Sequence, residues 1–373
     1  MTTAVALNLV ALVAMLVARS GVAVSDRHSA VSDHLRALYG ATAALMAFRL
    51  LATAVPATAP LVMVVAAWLP FLLLRLVEEM VRRHAPRSLK LLVLVGAIAF
   101  SVLALTLGLV WGGLAIGLLA AFHLLSVFGA IVLLLRDDAR ISLGERRAAI
   151  LLAVALGSAI LLATTDFQRL FPDLEVRGGP FAVLLLLLAT SRLATGRGSV
   201  GYLMFDCLVT LLAGSLVYGL AVSQGWPGAL SIAAVTTALT ALAIAIERFV
   251  GLRAQENNLL GALARADRGR SDLLAAHPLL QQGRIVPESD FADYPEVERR
   301  LFEGQELISF DAADREGSDG AAMRDLLHRH AATHMIRLSP NPLTFLAISA
   351  DGFAQDSLDD DLVIAARLIE AAT

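Results

Sequence analysis

Two residue types are almost missing from this chain of 373 residues, which has one cysteine, Cys207, and one lysine, Lys90. A single cysteine excludes a disulfide framework within one chain, and it excludes a zinc site built from several cysteines. A retinal-binding protein is excluded as well, because the late hydrophobic segments hold no lysine that would form a Schiff base. Basic residues are therefore nearly all arginine, a composition typical of high-GC bacterial genomes.

Hydrophobic residues are plentiful. They make up 57% of the chain, and the mean hydropathy is +0.72, whereas soluble domains are about 45–50% apolar. The excess lies in long blocks that end near Arg253. These observations predict three parts: a transmembrane helical bundle at 1–250, a helical connector at 251–282, and the rest of a small α+β domain at 283–373.

The hydrophobic blocks have the length of membrane-spanning helices, which need about 20 mostly apolar residues. Their apolar runs are continuous, without the alternation of a membrane β-barrel, so helices are predicted. We expect about nine transmembrane helices, near residues 3–24, 36–55, 60–80, 90–110, 113–135, 147–165, 179–195, 201–223 and 227–249.

Arginine-rich connections alternate along the chain with connections that hold few or no basic residues. Clusters such as Arg82–Lys90 follow every odd-numbered segment, whereas connections such as 56–60 and 223–227 carry no base. Short basic loops stay in the cytoplasm. We therefore expect a multi-pass protein of the bacterial inner membrane, with its N-terminus outside, nine crossings and a cytoplasmic C-terminal domain.

Three polar side chains fall inside predicted membrane helices: Arg49, His123 and Asp206. A charge at such depth costs about 2.5–3.5 kcal/mol on insertion scales, so each is expected to have a partner. A structural ion pair is the main interpretation, with an Arg49–Asp206 pair as one hypothesis. A ligand or ion site and a proton pathway are the alternatives.

A second group of charges lies where the third hydrophobic segment ends. Arg75, Glu78, Glu79 and Arg82 are close together in sequence at a predicted membrane boundary. Charges of both signs at that position are typical of an ion-pair cluster at the membrane surface. We therefore expect a structural role for this interfacial charge cluster.

The C-terminal part has the pattern of a small sheet covered by helices. Residues 247–266 continue the last membrane helix with an apolar seam, which predicts either pairing with a second copy or packing on its own domain. The remaining elements expected are helices at 271–282, 296–303 and 321–334, strands at 306–310, 335–338 and 343–349, a loop at 311–320, and a final helix opened by a capping box at Ser357–Asp360.

Few residues of the C-terminal part suggest chemistry. His330 and His334 are four residues apart on the predicted helix, so both would face one metal ion, although histidines at a helix end also suit the negative dipole. No glycine-rich phosphate loop is present. Acids outnumber bases here, which argues against binding nucleic acid. We expect no cofactor and no metal.

The order of elements across Gln255–Ala372 resembles that of a GAF domain, a ligand- and partner-binding module of bacterial sensors. The likeness lies in the leading helix, the apolar strand Leu343–Ser349 and the final helix that begins at Leu358. The stretch Leu76–Glu79, with Arg82 and Lys90, is similar to one in sensor histidine kinases associated with PEP-CTERM sorting. That resemblance covers only the input half, because neither a phospho-acceptor histidine motif nor an Asp-x-Gly-x-Gly nucleotide loop is present.

Three hypotheses about function follow. The first is a membrane-bound sensory or signalling protein without a catalytic output, which acts through a separate signalling protein such as a kinase, with a homodimer formed through the connector as a further expectation. The second is a transporter or permease-like protein with a regulatory tail, favoured by the polar residues in the membrane. The third is a structural subunit of a membrane complex.

Overall fold

The computed structural model describes most of the chain, in two compact units. The first unit covers 1–24, 30–136 and 147–250, and the second is formed mainly by 251–373. The residues described are 3–25, 30–81, 83–107, 113–136, 143–167, 171–194, 199–255, 258–266, 269–281, 283–315, 320–349 and 355–372.

The first unit is a helical bundle. Within its described residues, eight helices are long and apolar enough to cross a membrane, so the prediction of a helical membrane bundle is confirmed at this level. The remaining apolar helix, α7, has 16 residues and is therefore about 24 Å long, less than the roughly 30 Å of a bilayer core. The helices are α1 (Thr3–Ser25), α2 (Ala30–Ala54), α3 (Ala59–Val81), α4 (Arg87–Leu107), α5 (Gly113–Leu135), α6 (Leu143–Thr164), α7 (Gly179–Ala194), α8 (Val200–Ser223) and α9 (Ala229–Gln255).

Small residues allow close contact between these helices. Gly96 of α4 faces the ring of Phe122 in α5, and Gly214 of α8 faces Thr237 of α9, so that a Cβ at either glycine would collide with its neighbour. Helices in membranes associate largely through such close packing, because lipid supplies no hydrophobic driving force between them. Leucine and valine side chains elsewhere on the bundle are exposed to its surroundings.

The second unit contains a four-stranded antiparallel sheet, with strand order β1-β4-β3-β2 among the residues the structure describes. Met335 of β3 pairs with Ala347 of β4, and Ile308 of β2 pairs with Met335 on the other side. The elements of this unit are α10 (Asn258–Leu263), α11 (Arg270–Ala275), α12 (Pro278–Gln281), β1 (Arg284–Val286), α13 (Glu296–Gly304), β2 (Leu307–Ser309), α14 (Phe310–Arg315), α15 (Gly320–Arg329), β3 (His334–Pro340), β4 (Leu343–Ile348) and α16 (Gln355–Ala371).

Both faces of the sheet are covered, because successive side chains of a strand point to opposite faces. Phe345 and Ala347 of β4 join one apolar core, whereas Leu346 and Ile348 join the other. The first core is filled by the helices α13 to α15, and the second by α10 to α12 and α16. Strands buried on both faces read as continuous apolar runs, which is why β3 and β4 were predicted near their observed positions.

The connector packs on its own domain. Leu259 and Leu263 of α10 are buried in the second core, beside Leu362 of α16. The apolar seam was expected either to pair with a second copy or to pack on its own domain, and the part of it in α10 packs on its own domain. The predicted helix at 271–282 is divided into α11 and α12, where Pro278 opens the second helix.

Four predictions in this unit are wrong. The strand β1 was assigned to a loop, and the loop predicted at 311–320 contains α14, whose N-cap Ser309 accepts a hydrogen bond from the Ala312 N–H at 3.2 Å. The helix α15 ends at Arg329 rather than His334, because Ala331 turns the chain with a left-handed φ of 48°, a position normally marked by glycine. The capping box is misplaced, since α16 already begins at Gln355.

Candidate functional site

A buried carboxylate in α8 joins three helices of the bundle. Arg192 of α7 donates to Asp206 twice, from Nε to Oδ2 at 2.9 Å and from Nη2 to Oδ1 at 2.7 Å. Arg248 of α9 donates from Nη2 to the same Oδ1. A guanidinium that binds both oxygens of a carboxylate is among the stronger polar contacts in proteins. We call Arg192, Asp206 and Arg248 the Asp206 cluster.

The surroundings of the Asp206 cluster exclude most water. Its arginine side chains are 10% and 12% exposed and the aspartate side chain 3%. Arg248 also donates from Nη1 to Ser191 Oγ at 3.3 Å, and the Arg192 guanidinium lies 5.1 Å from the centre of the Tyr202 ring. Such a pair is costly to bury and costlier to break, because removing the anion leaves buried cations behind.

Arg49 does not pair with Asp206, so that hypothesis is wrong. Its Nη2 lies 2.6 Å from Oδ2 of Asp166, two residues beyond the end of α6. Asp166 also accepts a hydrogen bond through Oδ1 from the backbone N–H of Gly179, the first residue of α7, at 2.9 Å. A carboxylate at that position suits the positive end of the helix dipole. Arg49 is near the end of α2, whereas Asp206 is near the start of α8 and has two closer arginines.

The interfacial charge cluster centres on Glu78, which is 5% exposed. Its Oε1 lies 2.6 Å from Lys90 Nζ and accepts the backbone N–H of Ala85 at 2.6 Å, while Arg75 Nη1 is 3.8 Å from Oε2. Glu78 therefore fixes the turn between α3 and α4. Glu79 lies 3.9 Å from Nε2 of His34 in α2, and Arg82 falls outside the described residues.

His123 contacts two backbone carbonyl groups near the middle of α5. Its Nδ1 lies 2.8 Å from the oxygen of Leu119, one turn earlier in the same helix. Its Nε2 lies 3.0 Å from the oxygen of Ala66 in α3. The ring meets Phe122 edge-on with 5.5 Å between centroids. Both nitrogens are therefore engaged with the protein itself.

The metal site hypothesised at His330 and His334 is wrong in its geometry. His330 lies in the turn after α15 and His334 is the first residue of β3, so the two do not share a helix. No group of three metal-ligating side chains occurs within the described part of the chain. Burial lowers the pKa of His330, and its Nε2 is buried without a hydrogen-bond partner among the residues that the structure describes.

His334 instead belongs to a buried polar chain that links the sheet to α16. Its Nε2 lies 3.1 Å from Asp359 Oδ1, and Ser309 Oγ donates to Asp359 Oδ2 at 3.0 Å. Thr333 Oγ1 lies 2.8 Å from the other ring nitrogen. A hydroxyl, an imidazole and a carboxylate in this order are the groups of a hydrolase triad. Thr333 is only 1% exposed, so its hydroxyl lies inside the domain and away from its surface.

The ion pairs of the bundle join helix ends in a consistent way. The start of α2 meets the end of α3 through His34 and Glu79. The ends of α2 and α6 meet the start of α7 at Asp166. The end of α7 meets the start of α8 and the end of α9 in the Asp206 cluster. If the nine helices run alternately up and down, the helix ends that meet in each of these contacts lie on the same side of the bundle.

Sequence analysis identified Arg49 and Asp206 as buried charges and missed their partners, Asp166, Arg192 and Arg248. Arg192 and Arg248 lie near the ends of predicted membrane segments, and Asp166 lies in the connection between two of them. The charge pattern alone carries no distance information, so a base counted for the positive-inside rule was not also considered as a partner. Comparison of the chain with protein families, curated proteins and solved structures finds no match.

Proposed function

We propose that this chain is a membrane-bound sensory or signalling protein whose C-terminal domain binds a partner and has no catalytic output of its own. The observation that carries this proposal is the position of Arg248. It lies near the end of α9 and is bonded to Asp206 of α8 and Ser191 of α7. The chain continues from α9 into the second unit, so a rearrangement among α7, α8 and α9 has a covalent route to that domain.

The orientation is part of the proposal: nine crossings of a bacterial inner membrane, an outside N-terminus and a cytoplasmic C-terminal domain. The alternation of arginine-rich connections supports it. Further support comes from α7, which meets Asp166 at its first residue and Asp206 near its last turn. The two ends of α7 thus contact groups that lie on opposite sides of the bundle, as expected of a helix that crosses the membrane. Because α7 is short, this crossing requires local thinning of the bilayer.

The likeness of the C-terminal domain to GAF modules supports the sensory assignment. An antiparallel sheet with helices on both faces, and α16 closing one of them, agrees with that architecture. The resemblance of Leu76–Glu79, Arg82 and Lys90 to a stretch of PEP-CTERM-associated sensor kinases also supports the proposed sensory function. In the stretch that carries it, Glu78 and Lys90 are bonded to each other.

Partner binding fits this domain better than binding of a small ligand. The face of the sheet beneath α13 to α15 is occupied by Phe291, Phe302 and Phe345, each fully buried. The centroid of the Phe291 ring lies 6.0 Å from that of Phe302 and 5.6 Å from that of Phe345. Aromatic rings in close contact leave little room for a ligand between them. The outer surfaces of α13 and α16 expose the apolar side chains of Val297, Ile364 and Leu368.

The transporter alternative loses much of its support. Arg49, His123 and Asp206 are each bonded to groups of the protein itself. Side chains that bind a transported solute need polar groups that remain available to it. The structural-subunit alternative has no specific observation in its favour and is treated as an outcome of the experiment.

The experiment is purification of the full-length tagged chain from its native membrane in a mild detergent, followed by mass spectrometry of bound proteins and small molecules. Membranes that contain the untagged chain serve as the control. A stoichiometric signalling protein of the kinase class supports the proposal. The second measurement is flux of any bound solute in proteoliposomes.

Two results overturn the proposal. Flux of a bound solute without a signalling partner favours the transporter. A stable complex with membrane proteins that have no signalling role favours the structural subunit.

A further inference from the structure

The last helix, α16, carries apolar residues on two opposite sides, although its own domain covers only one of them. Leu362 and Ile369 are fully buried in the second core. On the other side, Ile364 is 43% exposed and Leu368 is 44% exposed. Residues four apart are neighbours on a helix surface, so these two side chains form one apolar patch.

Opposite charges flank this patch. Asp360 is exposed one turn before Ile364, and Arg367 is exposed about one turn after it. Along the helix axis they lie about 6 Å and about 5 Å from Ile364, and around the axis they are only about 20° apart. Both charges therefore lie along the same edge of the patch. We call this surface the α16 face, which consists of Asp360, Ile364, Arg367 and Leu368.

The α16 face is complementary to itself. A second copy turned end for end, about a two-fold axis beside Ile364, places Asp360 of each copy opposite Arg367 of the other. The two charges then match in height and in the edge on which they lie, and Ile364 meets Ile364. Self-complementarity of this kind is what a two-fold interface requires. A parallel arrangement would instead place like charges together at both positions.

The charges on the α16 face suit such a contact. Burial and the charge of Asp360 raise the pKa of the neighbouring Asp361 carboxyl, and a guanidinium beside Asp360 would oppose that repulsion. Arg367 donates from Nε to Glu306 Oε2 at 2.9 Å. Its side chain is nevertheless 67% exposed, so the guanidinium is accessible to a second carboxylate.

The size of the α16 face suits copies that share a membrane. The helix has 17 residues, so it is about 25 Å long. A contact between two such helices lies at the low end of specific interfaces, below about 1,200 Å². Confinement of both copies to one bilayer raises their effective concentration and favours a contact of this size.

We propose that the α16 face is a docking surface for the α16 face of a second copy of this chain, in antiparallel orientation. This inference goes beyond the proposed signalling function and does not depend on it. The surface differs from the connector, whose apolar seam in α10 packs on its own domain. Val297 of α13 lies outside it and is left for a partner of another kind.

The first test is cysteine cross-linking of the full-length chain in native membranes. Cys207→Ser removes the one cysteine, and Ile364→Cys then places a thiol beside the two-fold axis. We expect a mild oxidant to convert this variant into a covalent dimer. The matched control is Val297→Cys in the same background, at a position that is 79% exposed, and it should remain monomeric. Absence of a dimer from Ile364→Cys, or an equal yield from Val297→Cys, would overturn the proposal.

The second test reverses the charges in the cross-linking background. Asp360→Arg and Arg367→Asp each place like charges opposite each other in a pair of identical copies, and each should lower the yield of dimer about fivefold, as expected for two exposed ion pairs. When the two variants are expressed together with tags of different size, opposite charges meet at both positions of the mixed pair. We expect the mixed dimer to form as readily as the original one.

This recovery distinguishes a contact between copies from one within a chain, because neither variant regains an ion pair of its own. A chain that carries both substitutions provides a further variant, since identical copies of it again place opposite charges together. We expect its yield of dimer to equal that of the original chain. If neither the mixed pair nor this doubly substituted chain recovers the dimer, the antiparallel pairing is wrong.

Discussion

Arg49 and Asp166 form an ion pair, with 2.6 Å between Nη2 and Oδ2, although they belong to distant parts of the chain. The same carboxylate accepts the first N–H of α7. A single side chain therefore connects the ends of α2 and α6 to the start of α7. Its environment is tight, since a Cβ on Gly179 would collide with the carboxylate of Asp166.

Gly179→Ala should therefore destabilise the bundle by displacing Asp166 from Arg49. Forcing an extra methyl group into a packed site costs about 1–3 kcal/mol. The measurement is detergent-induced unfolding of the full chain in mixed micelles. The matched control is Gly219→Ala in α8, where an added Cβ meets nothing within 4 Å, and equal losses in the two variants would contradict the proposed role of Gly179.

The Asp206 cluster predicts an order of mutational effects. Asp206→Asn should be the most damaging, at about 3–5 kcal/mol, because it leaves two buried arginines without their anion. Arg248→Gln should cost least, since the two bonds from Arg192 to Asp206 remain. Unfolding midpoints of the three single variants, with Arg192→Gln between the others, test this order. A smaller loss in Asp206→Asn than in Arg248→Gln would refute it.

Cysteine labelling decides whether α7 crosses the membrane. Cys207→Ser yields a chain without cysteine, into which one cysteine is placed at Asp173 before α7 or at Ser199 after it. If α7 crosses, an impermeant maleimide added to intact cells should label the first position and not the second. Labelling of both positions in intact cells would mean that α7 does not cross, which leaves eight crossings. The same conclusion would follow if neither position were labelled in intact cells and both were labelled after permeabilisation.

The second unit should lose stability in mild acid. Burial lowers the pKa of His330 and of His277 below the usual 6.5. The unfolded chain then takes up protons near pH 6.5 that the folded unit binds only at lower pH, so unfolding becomes easier as pH falls below about 6.5. Above about pH 6.5 both histidines are neutral in the folded and the unfolded chain, so they cause no loss of stability there.

Hydrogen exchange of peptides from α15, corrected for the chemical exchange rate at each pH, measures this loss. His330→Asn removes one of the two titrating rings and should weaken the dependence. A dependence that is unchanged in the variant would assign it to other groups.

How far the sequence predicts this fold depends on whether a signal is local. The apolar runs of the bundle and of β3 and β4 are local, so their positions were predicted to within a few residues. The strand β1 has only three residues, and it exists through its pairing with β4, as in the contact between Ile285 and Leu346. No window of the sequence around Arg284 contains that information.

The polar sites follow the same division. The burial of Asp206 was predicted from its place in an apolar helix, but its partners come from α7 and α9. His123 was identified as unusual, whereas one of its two carbonyl partners, that of Ala66, belongs to another helix. The end of α15 was missed because Ala331 adopts a conformation that its side chain disfavours, and only the surrounding contacts impose it.

The strand order of the second unit also has a consequence for biosynthesis. Both edge strands, β1 and β2, precede the central pair in the chain, and they find their partners only in β4 and β3. During translation the membrane helices emerge first, while β1 and β2 remain without a neighbour until residues 334–348 have been made. The sheet thus assembles late, and its two early strands are exposed to wrong pairing or chaperone capture while they wait for their partners.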